Sequence, residues 1–157
     1  MNPRYADAYN NRGDVYYRKG LYDKAIKDFT KAIELNPRHA LAYNNRGNAY
    51  RRKGIYNRAI EDHTKAIELN PRCARAYNDR GMAYSKKGIY DKEIKDYNKA
   101  IILDPRYTWA YFNRGLVYRK KNDRENAIKN FEKVIELNDP SCKKEIERAK
   151  RYLRELH

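Results

Sequence analysis

Asparagine and basic side chains recur at one fixed spacing in this chain, and together they could hold an extended, negatively charged segment. Asn10, Asn44 and Asn78 stand 34 residues apart, each followed by a polar neighbour in Asn11, Asn45 and Asp79, while Asn113 continues the second series and Asn48 adds to it. A carboxamide both donates and accepts hydrogen bonds, so a column of them can pair with the backbone of a peptide. Arg18, Arg52, Lys86 and Lys120 form another column at the 34-residue spacing, and cations so placed attract carboxylates or phosphates. Near the end of the chain the pattern turns apolar. Trp109, Phe112 and Leu116 fall at i, i+3 and i+7, and Met82 stands 34 residues before Leu116. Side chains so spaced share one helix face and could grip a hydrophobic side chain of a partner.

Catalysis finds little to work with. The three histidines are His39, His63 and the terminal His157, and no nucleophile triad, metal-ligand cluster or phosphate-cradling loop accompanies them. The expectation is a chain that is not an enzyme and needs no cofactor or metal. The balance of 36 Lys plus Arg against 21 Asp plus Glu leaves a net charge of +15, which favours anionic partners: acidic peptides, nucleic acid or anionic lipid. With 41% hydrophobic residues the chain can bury a core. No apolar run is long enough to span a membrane, and Met1 to Gly20 lacks a signal-peptide core. These features favour a soluble chain in the cytoplasm.

Those residues are positioned by a repeat. Pro3, Pro37, Pro71 and Pro105 are 34 apart, as are Gly13, Gly47, Gly81 and Gly115. Each unit reads as two helices. In the first unit Tyr9 and Tyr16 flank Gly13, whose small size admits a neighbouring helix, and Lys19-Gly20 stops that helix. Ala25, Ile26, Phe29, Ala32 and Ile33 then form a stripe of helical period, ending before Asn36-Pro37 because a residue preceding proline is driven out of the helical region. A single hairpin is too thin to bury its apolar faces, so successive hairpins must stack. Cys142, Ile146, Ala149, Leu153 and Leu156 make one more stripe, which predicts a solvating terminal helix.

The frame A-Y-N-N-R-G-x-x-Y-x-R-K-G-x-Y-x-x-A-I-x-D-x-T-K-A-I-E-L-N-P-R, shared by Ala8 to Arg38 and Ala42 to Arg72, resembles the tetratricopeptide repeat. The resemblance implies an all-α, right-handed α-solenoid of antiparallel helix pairs. It divides the chain into a tail or end of a preceding repeat (1–5), four repeats (6–39, 40–73, 74–107 and 108–141) and a C-terminal capping helix (142–157). Departures from the family pattern are informative. Its seventh position, usually Leu, is Arg12, Arg46, Arg80 and Arg114, and its twenty-third is Asp28, Asp62, Asp96 and Asn130, which predicts an Arg to Asp pair inside each hairpin. The twentieth, usually Ala, is Glu93 in the third repeat, and Asn138-Asp139-Pro140 closes the fourth one residue late. With Asn2-Pro3-Arg4-Tyr5 matching the close of a repeat and no full cap before it, the first helix is expected to be exposed to self-association, or the segment to come from a longer array.

The resemblance also implies a concave groove lined by the first helix of each repeat. On it the candidate peptide-binding residues are Asn10, Asn11, Asn44, Asn45, Asn48, Arg52, Arg75, Asn78, Met82, Lys86, Trp109, Phe112, Asn113, Leu116 and Lys120. The leading expectation is a protein-interaction scaffold holding an extended acidic peptide. Relatives that clamp the C-terminal carboxylate of chaperones need a set of Lys, Asn and Arg that reads here Asn10, Asp14, Asn45, Arg75 and Asp79, or Asn44, Asn48, Asp79, Trp109 and Asn113, so that neither register supplies the full clamp. Two alternatives stand beside it: a module that forms homo-oligomers, and a basic solenoid for nucleic acid. Tyrosine stacking on bases weighs little for the latter, since eleven of the 16 tyrosines occupy repeat-packing positions. Cys73 and Cys142 lie two repeats apart, beyond disulfide reach within one chain.

Overall fold

A computed structural model describes the backbone of residues 3–156 and the side chains of residues 5–156. Asn2 and His157, both noted in the sequence, lie outside the described residues. Among those described there are nine α-helices, one short 3-10 turn and no strand. The helices are α1 (Pro3–Arg18), α2 (Tyr22–Leu35), α3 (Ala40–Arg52), α4 (Tyr56–Leu69), α5 (Ala74–Lys86), α6 (Tyr90–Leu103), α7 (Thr108–Lys120), α8 (Arg124–Leu137) and α9 (Lys143–Leu156). They pack as hairpins α1/α2, α3/α4, α5/α6 and α7/α8, each stacked on the next, with α9 laid against α8. The chain is a right-handed α-solenoid.

Two local devices set the hairpins. The first is the turn from odd to even helix, where Gly20, Gly54 and Gly88 take φ of 75°, 79° and 70° and Asn122 takes 57°. Only glycine, and to a lesser degree asparagine, reaches that left-handed region cheaply. The second is the Asn-Pro-Arg or Asp-Pro-Arg turn that ends the even helices. There Asn36 Oδ1 accepts from the Arg38 N–H at 3.0 Å, and Asp104 Oδ1 from that of Arg106 at 2.9 Å, a side-chain turn that replaces the next helical hydrogen bond. In the fourth hairpin Asn138 is left-handed, and Asp139 accepts from the Ser141 N–H at 2.9 Å, opening the 3-10 turn at Pro140–Cys142.

Within each hairpin the odd helix approaches an aromatic ring through glycine. A Cβ on Gly13 would lie 2.7 Å from the Phe29 ring, and His63, Tyr97 and Phe131 meet Gly47, Gly81 and Gly115 in the same way. Residues 3–5 form the first turn of α1; proline is tolerated there because a first-turn N–H has no intrahelical acceptor. The terminal helix seals the last hairpin. Ile146, Ala149 and Tyr152 pack with Phe112, Ala127, Phe131 and Val134 into the largest apolar cluster. Tyr152 belongs to this face although the predicted stripe passes it by.

Candidate functional site

The expected Arg to Asp pairs are present. Arg12 reaches Asp28 at 2.7 and 2.8 Å with Nε and Nη2, and Arg46 reaches Asp62, and Arg80 Asp96, with both contacts at 2.8 Å. This is a bidentate fork, in which two parallel charge-assisted bonds fix orientation. Each guanidinium also lies against tyrosine: Arg46 is 5.7 and 5.9 Å from the ring centres of Tyr43 and Tyr50, and Arg80 is 5.7 and 6.0 Å from those of Tyr77 and Tyr84. From Arg46 and Arg80 a further N–H reaches the preceding hairpin, at Thr30 and Thr64 Oγ1, both 3.1 Å away. The substitution of the usual Leu is thus a polar tie across three helices. The bond to Asp96 raises the Arg80 pKa above its ordinary value, whereas burial lowers that of Arg114, whose partners Asn130 and Asn98 are both neutral.

On the concave face the asparagines are hydrogen-bonded within the fold. They join neighbouring repeats in a ladder: Asn45 Nδ2 donates to Asn10 Oδ1 at 3.0 Å, Asn44 Nδ2 to Asp79 Oδ2 at 2.8 Å, and Asn113 Nδ2 to Asn78 Oδ1 at 3.0 Å. Asn10, Asn44, Asn48 and Asn78 are buried in consequence. They support the groove from beneath, and the expectation that they face a ligand is corrected accordingly. Asn48 Nδ2 also donates to Asp79 Oδ2, at 2.8 Å. Because Asn44 donates its N–H to a carboxylate, its Oδ1 must accept, so the His63 Nδ1 that lies 2.9 Å from it carries the proton. Burial holds His63 at a pKa of about 4, with the Asp79 charge opposing.

Other groove candidates are accessible. Asn11, Arg52, Arg75, Lys86, Trp109 and Lys120 are exposed, while Asn45, Met82, Asn113 and Leu116 are half-buried. Arg52 is partly engaged, donating to the Tyr22 hydroxyl at 3.1 Å, and Arg75 Nε lies 3.6 Å from Asp79. Met82 Sδ accepts from Asn78 Nδ2 at 3.6 Å. The expected apolar pocket is not assembled as read. Phe112 is buried, with its ring centre 6.0 Å from that of Phe131 and 6.5 Å from that of Tyr152, whereas Trp109 stays exposed. Helix α9 covers Phe112, and one sequence face cannot show which end of it a later helix will claim.

The groove also holds residues outside the candidate set. A cavity of about 100 Å³ is lined by Arg51, Ser85 and Glu93 together with Met82, Lys86, Asn113 and Lys120. A second, of about 790 Å³, lies between α7 and α9 with Arg119, Lys120, Arg148 and Tyr152 on its walls. The signal for Glu93 was its place in a column otherwise filled by Ala25, Ala59 and Ala127. Among the described residues no group of His, Cys, Asp and Glu is arranged to hold a metal, and no helix is long and apolar enough to cross a membrane. Both cysteines are free thiols, and Cys142 is buried.

The tetratricopeptide repeat profile matches residues 6–39, 40–73 and 108–139, and a second TPR repeat profile matches 86–122. The chain belongs to the tetratricopeptide repeat family. Among solved structures it is similar to a crystal structure of MamA, at 32% identity and a TM-score of 0.79 over 90% of this chain and 83% of that one. It also resembles the Arabidopsis OM64 TPR domain (26% identity, TM-score 0.74, covering 76% of this chain and 99% of that one). A third is the first TPR of Spaghetti (RPAP3) bound to the HSP90 peptide SRMEEVD, at 26% identity and a TM-score of 0.74 over 78% and 97% of the two chains. No curated protein sequence matches.

Proposed function

We propose that this chain is a non-catalytic protein-interaction scaffold whose concave groove holds an extended acidic peptide. The observation that carries the reading is the exposure of Arg75, Lys86 and Lys120 along a groove whose floor is cross-linked by the asparagine ladder. Cations on a fixed floor attract carboxylates and retain them without reorganisation. The similar TPR of Spaghetti (RPAP3) is bound to SRMEEVD, a segment with three acidic side chains. Asn45 and Asn113 keep their carboxamide oxygens out of the ladder bonds, which suits them to accept N–H groups of a peptide backbone. Since neither register supplies the full chaperone-tail clamp, recognition rests on side-chain carboxylates and not on a free C-terminus.

Fluorescence anisotropy tests this with an acidic peptide pool and a single-stranded RNA of equal charge, each at low and physiological salt. The peptide keeps its affinity at physiological salt, Lys86→Glu weakens it roughly fivefold, and amidating the C-terminus leaves it unchanged. Retention of RNA alone would replace this reading with a nucleic-acid solenoid. Concentration-dependent mass without either ligand would favour self-association.

A further inference from the structure

Two residues on the wall of the small cavity between α3, α5, α6 and α7 each carry a polar atom with no hydrogen-bond partner among the described residues. Glu93 is 98% buried (2% exposed); its Oε1 accepts from the Tyr97 hydroxyl at 3.2 Å and the nearby Ser85 hydroxyl also acts on the carboxyl, yet Oε2 has no partner at full hydrogen-bond distance among the described residues. Arg51 Nε is likewise buried without a partner, although its Nη2 donates to Asn48 Oδ1 at 3.4 Å. Both residues line the same cavity, whose rim carries Lys86 and Lys120. A buried acceptor and a buried donor each cost free energy if left unpaired. The three other repeats put alanine where Glu93 stands, at 0% exposure in each case, so the carboxyl is no packing requirement of the fold.

We propose that this cavity is a subsite for a carboxamide, the side chain of a glutamine or asparagine in the bound peptide. Its N–H group donates to Glu93 Oε2, and its oxygen accepts from Arg51 Nε or from the ammonium groups of Lys86 and Lys120. The chemistry of the walls selects it. A cation would suit Glu93 but meets the basic rim, and a carboxylate would suit the rim but meets an acceptor. Burial raises the Glu93 pKa against the pull of Ser85, Tyr97 and Lys120; a carboxamide complements the carboxyl in either protonation state, because it both donates and accepts. The volume of about 100 Å³ is several times the roughly 10 to 15 Å³ that admits a water.

This inference deepens the peptide-groove reading and rests on it, but its test does not need the peptide. Acetamide, acetate and methylammonium are titrated separately into the protein. The readouts are the Arg51 Nε–H resonance and the Glu93 carboxyl carbon in nuclear magnetic resonance spectra. Acetamide should shift both signals saturably, at a concentration about tenfold below that needed with acetate or methylammonium. Glu93→Ala, which installs the residue of the other repeats, should abolish the Arg51 shift while the melting temperature holds or rises. An acidic peptide carrying one glutamine should then lose about tenfold in affinity for Glu93→Ala, and its alanine counterpart nothing. Acetate binding as well as acetamide, or no saturable shift at all, would overturn the subsite and leave the acidic-peptide groove standing. Failure of every peptide to bind, with the acetamide shifts intact, would sink the groove reading alone.

Discussion

Two junctions of this solenoid solve the same packing problem by opposite means. Between α3 and α5, Asn44 reaches Asp79, and Asn48 reaches the same carboxylate. Between α7 and α9 the position equivalent to Asn44 is Phe112, sandwiched with Phe131 and Tyr152. A buried polar rung is tolerable only when the next element returns a partner for it. Every repeat but the last is followed by another Asn or Asp at the right place; the last is followed by α9, which offers Ile146 and Tyr152. The switch from carboxamide to phenyl therefore marks where the ladder ends.

If this contrast is right, the aromatic junction is the more sensitive to truncation. Phe112→Ala should lower stability by about 3 to 5 kcal/mol, while Trp109→Ala, three residues earlier and exposed, should cost under about 1 kcal/mol. Urea denaturation followed by circular dichroism measures both. Equal losses would mean that α9 does not seal the last hairpin and that both aromatics belong to an open pocket.

The polar junction should instead be sensitive to pH. His63 has a folded pKa of about 4 against an ordinary 6.5, so the unfolded chain binds more protons in that interval. Stability is then complete above about pH 6.5 and is lost as the pH falls toward 4, by up to roughly 3 kcal/mol from this residue. His63→Phe, which installs the residue of Phe29 and Phe131, should flatten that interval of the stability profile. An unchanged profile would mean that the imidazole is not held neutral in the core.

Much of this was legible before any coordinates, and the reason is periodicity. Four copies of one frame fix helix count, turn chemistry and the Arg to Asp pairs, because each copy tests the others. What one frame cannot reveal is contact at 35-residue separation. The bonds of Asn10 to Asn45 and Asn78 to Asn113 join different repeats, so a column that looked like a ligand surface is also a structural seam. Phe112 was misplaced for a related reason: its burial depends on α9, which follows no repeat consensus. Glu93 stands out in the sequence only as a departure from the usual alanine, and its unpartnered oxygen beside a cavity emerges once α3, α5, α6 and α7 are assembled.

Removing the shared acceptor should weaken the polar junction less than Phe112→Ala weakens the aromatic one. Asp79→Ala leaves the Nδ2 groups of Asn44 and Asn48 buried without their carboxylate, a loss of about 2 kcal/mol, measurable as a lower urea midpoint with an unchanged slope. A neutral result would show that water reaches the floor of the groove and replaces the ladder.

The smallest change sharpens the comparison from the other side of the hairpins. Asn130 gives the fourth repeat a neutral partner for Arg114, at 2.9 Å, where the first three supply aspartate. Asn130→Asp restores the fork and should raise the Arg114 pKa toward the behaviour of Arg80. The gain is limited because Asn130 Nδ2 now donates to the Asn126 carbonyl at 2.7 Å, and a carboxylate oxygen there would meet an acceptor. Replacing a neutral bond by a charged one contributes about 1 kcal/mol, offset in part by that lost bond. A rise in the urea midpoint of about half that size is expected; a fall would mean that the Asn126 bond, and not the fork, is what the fourth repeat was built around.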